Sequence, residues 1–584
     1  MAFLTCVNKK FILCCDYEQK ELAKAAKGAR WDKKESVWEY HPSKITYDDL
    51  CLAFKGEEFF VDPSVAVILE ENNEKVKDLI EFKRNPVVSE KIKEITLKST
   101  LSGYQKIGVS YALIADACAI FDEMGVGKTI QAISIAIARK AAGQIKNALI
   151  ICPATLKYVW EKEINKHSYE KSIVVDGTAK KRKKLYEEYK DSPDTLFLIV
   201  NFEQCRIEVV NLLKLNINLC CIDESIRIKS RSIPTTKAVK KINPQYKIIL
   251  SGYPVSNSPV EIWSQIDYIW PGYLGSYYTF EDRYVTKETI VVYVKDKLGI
   301  PKKREFKKVI SYKNSKELNE LLFPLYIRRT KKEVLKELPD KIYQERIVEL
   351  SSEMRKKYNE MKEEMRIMIE SLDEGEFQIK ATIIITRMIR LSQITSGYIN
   401  DVSLDEPHWF KGTNVKFNVI DSIVEECIAN NDKCVIWSRF KTSINKLIDR
   451  YKNKYEVVYI TGDVKDMKKR EEAEFAFQND ENVKLFLGTI QAGGMGLTLT
   501  RASTEIIIDK SFLAPDKVEQ AIDRLHRKGQ KNTVVCISLI ARNTIDEYWE
   551  QLFNRKKKMT GKIIESGTGE NVTITKAEVL EMLK

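Results

Sequence analysis

Two stretches of the chain alternate short, continuously apolar runs with amphipathic segments. The first holds residues 147–152 (NALIIC), 195–200 (TLFLIV), 219–225 (LCCIDES) and 246–252 (YKIILSG). The second holds 433–438 (KCVIWS), 456–462 (EVVYITG), 483–489 (VKLFLGT), 505–509 (EIIID) and 534–541 (VVCISLIA). Runs that are apolar at every position, not every second one, are expected of strands buried on both faces of a parallel sheet. Between them lie amphipathic helix patterns such as 129–142 (TIQAISIAIARKAA). Strand–helix alternation of this kind predicts an α/β protein with two parallel-sheet lobes.

Around these lobes the pattern changes. Residues 1–60 carry two tryptophans and a glycine within GARWDKKESVWEY (28–40) and read as a small N-terminal α+β module. A linker is expected over 61–95, the first lobe over 96–272 and a helical insertion over 273–345. A helical linker region follows over 346–412, with Met, Tyr and Ile at three-to-four spacing in a charged helix over 351–372. The second lobe is expected over 413–560 and a C-terminal tail over 561–584.

Composition narrows the function classes. At 584 residues the chain exceeds one domain of roughly 100–200 residues. No apolar stretch approaches the ~20 residues of a bilayer-spanning helix. The opening MAFLTCVNKKFILCC interrupts its apolar residues with lysines and lacks a small-residue cleavage site, so it does not read as a signal peptide. A membrane-free, non-secreted protein is expected, cytoplasmic (in a bacterium or a virus-infected host cell) or nuclear, and a monomer. The 12 cysteines form no CxxC and none of the four histidines is spaced to join them at zinc, so no structural metal is expected. The formal charge is +13, with basic clusters at 180–184, 301–308, 328–332 and 555–558. One such run alone is a solvated face, but four on one chain point to a phosphate backbone as partner.

The chemistry-bearing motifs agree with that partner. DEMGVGKT (122–129) follows the apolar run ALIADACAIF and opens a helix, the context of a phosphate-binding loop. Backbone N–H groups of Met124, Gly125, Val126 and Gly127 can close around an anion, with the helix N-terminus adding partial positive charge. Lys128 would reach the β- and γ-phosphates of a nucleotide, and the Thr129 hydroxyl would ligate Mg²⁺. The strict GxxxxGK[ST] pattern fails at its first glycine, where Asp122 stands. LCCIDES places Asp223 and Glu224 at the carboxyl end of a strand, where ligand sites collect in open α/β sheets. Asp223 is a candidate Mg²⁺ ligand and Glu224 a candidate general base for the attacking water. In QAIDRLHRKGQ (520–530), Arg524 and Arg527 lie three apart on one helical face and can act on a γ-phosphate as arginine fingers do.

These residues stand within nine motifs in a fixed order: LSGYQKIGV (101–109), DEMGVGKT, IICPATLKYVW (150–160), DES, LSGYPVSN (250–257), IRRTKKEV (327–334), VIWSRF (435–440), GTIQAGGMGLTLT (488–500) and QAIDRLHRKGQ. The series resembles the Swi/Snf-type family of double-stranded DNA translocases, within helicase superfamily two. GARWDKKESVW is similar to the small module preceding the motor in the HARP-like, annealing-helicase branch. The resemblance implies two RecA-like lobes, ATP and Mg²⁺ as cofactors, and DNA-dependent ATP hydrolysis that drives tracking along double-stranded or branched DNA. It implies that Gln105 contacts adenine, that Gly496 lies near the nucleotide, and that Thr155, Lys157, Thr489 and Arg439 grip the DNA backbone. It also implies work on forks or on bound proteins, with a DNA-repair, replication or transcription protein as a further partner. Two positions depart from the family pattern: Ile226 replaces the usual His after Asp-Glu-Ser, and Ser251-Gly252-Tyr253-Pro254 replaces TGTP. Both belong to the coupling between ATP and DNA, so hydrolysis is expected to survive. The alternative is a nucleotide-gated DNA-binding protein whose hydrolysis is weak or uncoupled.

Overall fold

The computed structural model describes residues 1–584 apart from 9, 27, 256–257, 296–300, 401–406, 412–413, 465, 494–495, 511–514, 566–574 and 584. Parts of two motifs (256–257 and 494–495) and much of the expected tail therefore lie outside the described residues.

The first large sheet has seven strands, in the order Tyr326–Ile327, Ala117–Ile120, Tyr246–Leu250, Leu219–Asp223, Ala148–Cys152, Thr195–Asn201 and Lys171–Val174. Every pairing is parallel. Its continuous apolar runs feed two cores. Leu149, Ile151, Leu198, Val200, Cys220 and Ile222 enter one, and their neighbours Ala148, Ile150, Cys152, Ile199, Leu219 and Cys221 enter the other. The run ALIADACAIF divides at Asp116, whose φ of +57° ends the helix Gly103–Ala115 and starts the strand Ala117–Ile120.

The second sheet has six parallel strands, in the order Lys341–Val348, Val534–Ala541, Thr504–Ile507, Cys434–Ser438, Val483–Thr489 and Glu456–Ile460. Lys341–Val348 falls across the boundary between the expected helical insertion (273–345) and the expected helical linker (346–412). It is an edge strand exposed over 342–347, with polar residues at its centre (Gln344, Glu345, Arg346), and it runs beside Val534–Ala541 in full register.

Three other regions differ from expectation. The linker 61–95 contains a 22-residue helix, Pro63–Arg84, started by the Asp62 cap and by Pro63 in its first turn. Its Val65 packs in the module core, and its Leu79 and Phe82 pack in the core of the first lobe. The expected helical insertion contains a long antiparallel hairpin, Val285–Lys295 with Pro301–Tyr312, whose first strand is rich in Val, Thr and Ile and whose second is rich in lysine. In the expected helical linker, Ser352–Glu370 and Ala381–Thr395 bury Met354, Tyr358, Met365, Met388 and Leu391 against Tyr548, Trp549 and Leu552 of the helix Ile545–Glu565. They are the cover of the second lobe, closed by the helix Lys576–Met582.

The N-terminal module is a five-stranded sheet, ordered Arg30–Asp32, Val37–Tyr40, Lys10–Cys15, Ala2–Val7 and Phe59–Val61, with the helix Lys44–Ala53. No helix among the described residues is long and apolar enough to cross a membrane.

Candidate active site

The loop DEMGVGKT leaves the carboxyl end of Ala117–Ile120 and turns into the helix Lys128–Ala141. The turn requires left-handed backbone at Gly125 (φ +81°) and Gly127 (φ +89°). A Cβ on Gly127 would collide with the Gln105 amide. Gln105 is buried: its Oε1 accepts from the Ser102 N–H at 2.9 Å, and its Nε2 donates to Val126 O at 3.2 Å. Lys128 folds back on its own loop, donating to Asp122 O at 2.8 Å and Glu123 O at 3.1 Å. Burial pushes its ammonium pKa down, against Asp122, Glu224 and Asp223, which hold the charge in place.

Asp223 closes the strand Leu219–Asp223, and Glu224 follows in the left-handed region (φ +54°). The Asp223 carboxylate accepts from Trp160 Nε1 and from the Glu224 N–H, each at 2.9 Å. Burial, and then the charge of Glu224, raise its pKa to about 6.

The second lobe meets this site directly. Arg524 and Arg527 are drawn together by Leu497 O, which accepts from both at 3.4 and 3.1 Å, while Thr498 Oγ1 accepts from Arg527 at 3.0 Å. Burial lowers both guanidinium pKa values, that of Arg524 to about 10, with the charge of Arg527 adding to the effect. A Cβ on Gly125 would lie 3.1 Å from Cβ of Arg527. Gln520 Nε2 donates to Glu224 Oε1 at 3.3 Å. A cavity of about 510 Å³ results, lined from the first lobe by Gln105, Met124, Gly125, Gly127, Lys128, Thr129, Asp223 and Glu224, and from the second by Gly496, Arg524 and Arg527. Its size suits a nucleotide. The donor set also fits Mg²⁺: a hydroxyl at Thr129 and a carboxylate at Asp223 are hard oxygens facing one space.

The residues expected to grip DNA are more dispersed. Thr155 is half-buried at the mouth of a neighbouring cleft between the lobes. Lys157 is turned inward, with its ammonium on Val175 O at 2.8 Å and Asp176 Oδ1 at 3.1 Å. Thr489 is buried at the end of Val483–Thr489. The Arg439 N–H donates to Asp509 Oδ1 at 2.6 Å, and its buried Nη1 finds no hydrogen-bond acceptor among the described residues. The Tyr253 hydroxyl is buried near Asp523, Glu519, Lys341 and Glu123, at the seam of the lobes.

Three residues at the site carry no expected role from sequence reasoning. Trp160 holds Asp223, and it could be found only by knowing which helix covers the strand end. Arg329 clamps Asp122, with Nε on Oδ1 at 2.9 Å and Nη2 on Oδ2 at 2.5 Å, and Nη2 also reaches Gln131 Oε1 at 2.7 Å. This clamp accounts for an aspartate at the first position of the phosphate loop. Lys331 places its ammonium 2.6 Å from Asp523 Oδ1 and 2.6 Å from His526 O.

Comparison with known proteins converges on one family. A model of the SNF2-related domain matches residues 65–398, and one of the helicase conserved C-terminal domain matches 415–529. A Mycoplasma genitalium protein described as an ATP-dependent helicase is 28% identical over 494 residues, covering 83% of this chain and 44% of that protein. The TATA-binding protein-associated factor MOT1 of Saccharomyces cerevisiae is 25% identical over 538 residues, covering 82% and 28%. The SWI2/SNF2 ATPase core of Sulfolobus solfataricus, solved with double-stranded DNA, is 26% identical, with 81% of this chain and 94% of that one covered and a TM-score of 0.38. The chain spans less than half the length of the two curated relatives. With its matches in sequence order over most of its length, the chain belongs to the SNF2-related family.

Proposed function

We propose that this chain is a DNA-dependent ATPase that couples hydrolysis to movement along double-stranded DNA. One observation carries the reading: a single cavity is enclosed by the phosphate loop, the Asp223–Glu224 pair and the two arginines of the other lobe. Lys128 exchanges its loop carbonyls for the β- and γ-phosphates, and the loop N–H groups hold their oxygens. Thr129 and Asp223 would hold Mg²⁺, which would supply neutralisation of phosphate charge. Glu224 takes a proton from the attacking water as Gln520 gives way, and Arg524 and Arg527 stabilise charge on the transferred group. Because the arginines come from the second lobe, turnover requires a closed cleft, and product release frees it. Closing and opening between two phosphate-gripping lobes is the source of stepping. Thr155, Thr489 and Arg439 supply the grip, and the buried, acceptor-free Nη1 of Arg439 is suited to a phosphate oxygen.

The task favoured for the motor is displacement of proteins from DNA, which the likeness to MOT1 supports. The N-terminal module supports a second task, work on forks. Trp31 and Trp38 pack with centroids 5.0 Å apart and rings tilted at 57°, and Trp31 is 44% exposed, an accessible face for an unpaired base. Phosphate release by the full chain, measured with single-stranded, duplex and forked DNA, tests the reading. Stimulation by duplex is expected, and it should fall steeply with salt as phosphate contacts release counterions. Turnover indifferent to DNA, alongside retained DNA binding, would favour the nucleotide gate.

A further inference from the structure

The segment 326–334 runs from the edge of the first sheet to the arginine turn of the second lobe. Its start is a strand: the Phe121 N–H donates to Ile327 O at 2.8 Å, and the Glu123 N–H donates to Arg329 O at 3.0 Å. The beginning of the phosphate loop is therefore pinned, residue by residue, to this segment. Side chains reinforce the pinning. Arg329 clamps Asp122 and Gln131 and donates to Tyr104 O, and space for its guanidinium exists because residue 108 is glycine. At Lys331 the segment changes partners. Its N–H donates to Glu123 Oε2 at 2.7 Å, while its ammonium is shared by Asp523 Oδ1 and His526 O. Asp523 directly precedes Arg524 in the chain, and His526 directly precedes Arg527.

We propose that Lys331 is a positioning residue that ties the state of the phosphate loop to the placement of Arg524 and Arg527. The inference rests on the ATPase reading above and names how its two halves are held in step. Glu123 is the hinge of the link. Its carbonyl accepts from Lys128 and its carboxylate accepts from Lys331, so when Lys128 turns to a phosphate the balance at Glu123 changes. The buried ammonium transmits that change because it has nowhere else to go: Lys331 is 6% exposed, and Asp523 is its charge partner. Lys341 shares Asp523 at 3.2 Å, so the carboxylate stays charged when one lysine shifts. Although burial works against it, this pair of lysines holds the Asp523 pKa at about 2.

The test measures duplex-stimulated phosphate release, binding of a fluorescent ATP analogue and thermal melting for the full-length wild type and for Lys331→Met, Lys331→Arg, Asp523→Asn and the double variant Lys331→Met/Asp523→Asn. Each removal is expected to lower kcat by about tenfold to a hundredfold with KM for ATP changed by no more than about threefold, the pattern of lost geometry in the reacting state. The double variant should be no worse than Asp523→Asn by more than about twofold, because Asp523→Asn already breaks the Lys331 link along with that of Lys341. Lys331→Arg should recover most of kcat. If Lys331→Met melts too early to assay, Glu123→Gln, which weakens the same link from the other end, should give the same split between kcat and KM. Wild-type kcat in Lys331→Met, multiplying losses in the double variant, or equal loss with Arg and Met would overturn the coupling alone. A wild type that does not turn over ATP would overturn the motor itself.

Discussion

Gln520 of the second lobe donates its amide to Glu224 of the first, Nε2 to Oε1 at 3.3 Å. The carboxylate proposed as general base is therefore held by a neutral group from across the cleft, which a water can displace without leaving a charge unpaired. Glu224→Gln keeps the shape and removes the proton acceptor. ATP turnover should fall by about 10²–10⁴-fold while nucleotide binding stays near the wild type. Phosphate release together with equilibrium binding of a fluorescent ATP analogue decides it: an unchanged rate removes Glu224 from the mechanism.

The approach of Arg527 to Gly125 makes a second, sterically defined test. Gly125 has φ +81°, where a side chain is disfavoured by roughly 1–2 kcal/mol. A Cβ there also meets Arg527 Cβ at 3.1 Å, and Arg527 is backed by Leu497 O and Thr498. Gly125→Ala should hold the lobes apart, raising KM for ATP and lowering kcat together, about tenfold in kcat/KM or more. Gly143→Ala is the control: its φ is +68° but nothing lies within 4 Å of the added carbon. That variant carries only backbone strain, so its melting temperature should drop while its turnover holds. Equal loss of activity in both would show that strain, not the contact between lobes, is responsible.

The elevated pKa of Asp223 predicts a pH dependence. Its carboxyl titrates near 6 in the folded chain because it is buried and stands beside Glu224, against an ordinary value of 3.8. Only the carboxylate holds Mg²⁺, so kcat/KM should rise with pH through about 6 and then level. The stability term has the opposite sign. A raised folded pKa favours the protonated form, so its contribution is fully present below 3.8 and is lost as pH rises through about 6. Asp223→Asn should accordingly melt higher than the wild type at neutral pH, by a shift on the order of 1 kcal/mol, while losing turnover. A variant that melts lower at neutral pH contradicts the burial argument.

Which parts of this site could be read from the sequence follows from how local their signals are. Lys128, Thr129, Asp223 and Glu224 sit at strand ends marked by continuous apolar runs, and the two-core packing of Leu149 and Ile150 explains why those runs lack alternation. Lys341–Val348 was not recognised as a strand of the second sheet because Gln344, Glu345 and Arg346 interrupt its apolar residues, and its pairing partner is far along the chain. The hairpin Val285–Lys295 with Pro301–Tyr312 escaped because its second strand is dominated by charged residues and shows no apolar run or alternation. Trp160, Arg329 and Lys331 act through contacts that no spacing rule encodes. Lys157 shows the reverse: a motif position says where the backbone passes, not which way an ammonium turns.

Glu505 supplies a stability prediction away from the nucleotide. Its carboxyl is buried, accepting from Trp437 Nε1 at 3.1 Å and from Cys536 Sγ at 2.7 Å. Burial pushes its pKa up to about 8, with Lys341 pulling it down and Asp523 raising it. It matters because the Trp437 ring fills the space where side chains on Gly488 and Gly493 would be, so the indole supports residues 488–493. The folded pKa is above the ordinary 4.5, so this group stabilises fully below 4.5 and loses that contribution as pH rises through about 8. Wild-type stability in denaturant should therefore decline by about 1–3 kcal/mol from mildly acidic to alkaline pH. Glu505→Gln keeps an acceptor for Trp437 and cannot ionise, so its decline should be visibly shallower. Glu505→Ala instead leaves the indole N–H unsatisfied and should lose roughly 1–3 kcal/mol at every pH. Parallel pH curves for wild type and Glu505→Gln would mean that the buried carboxyl is not the group that titrates.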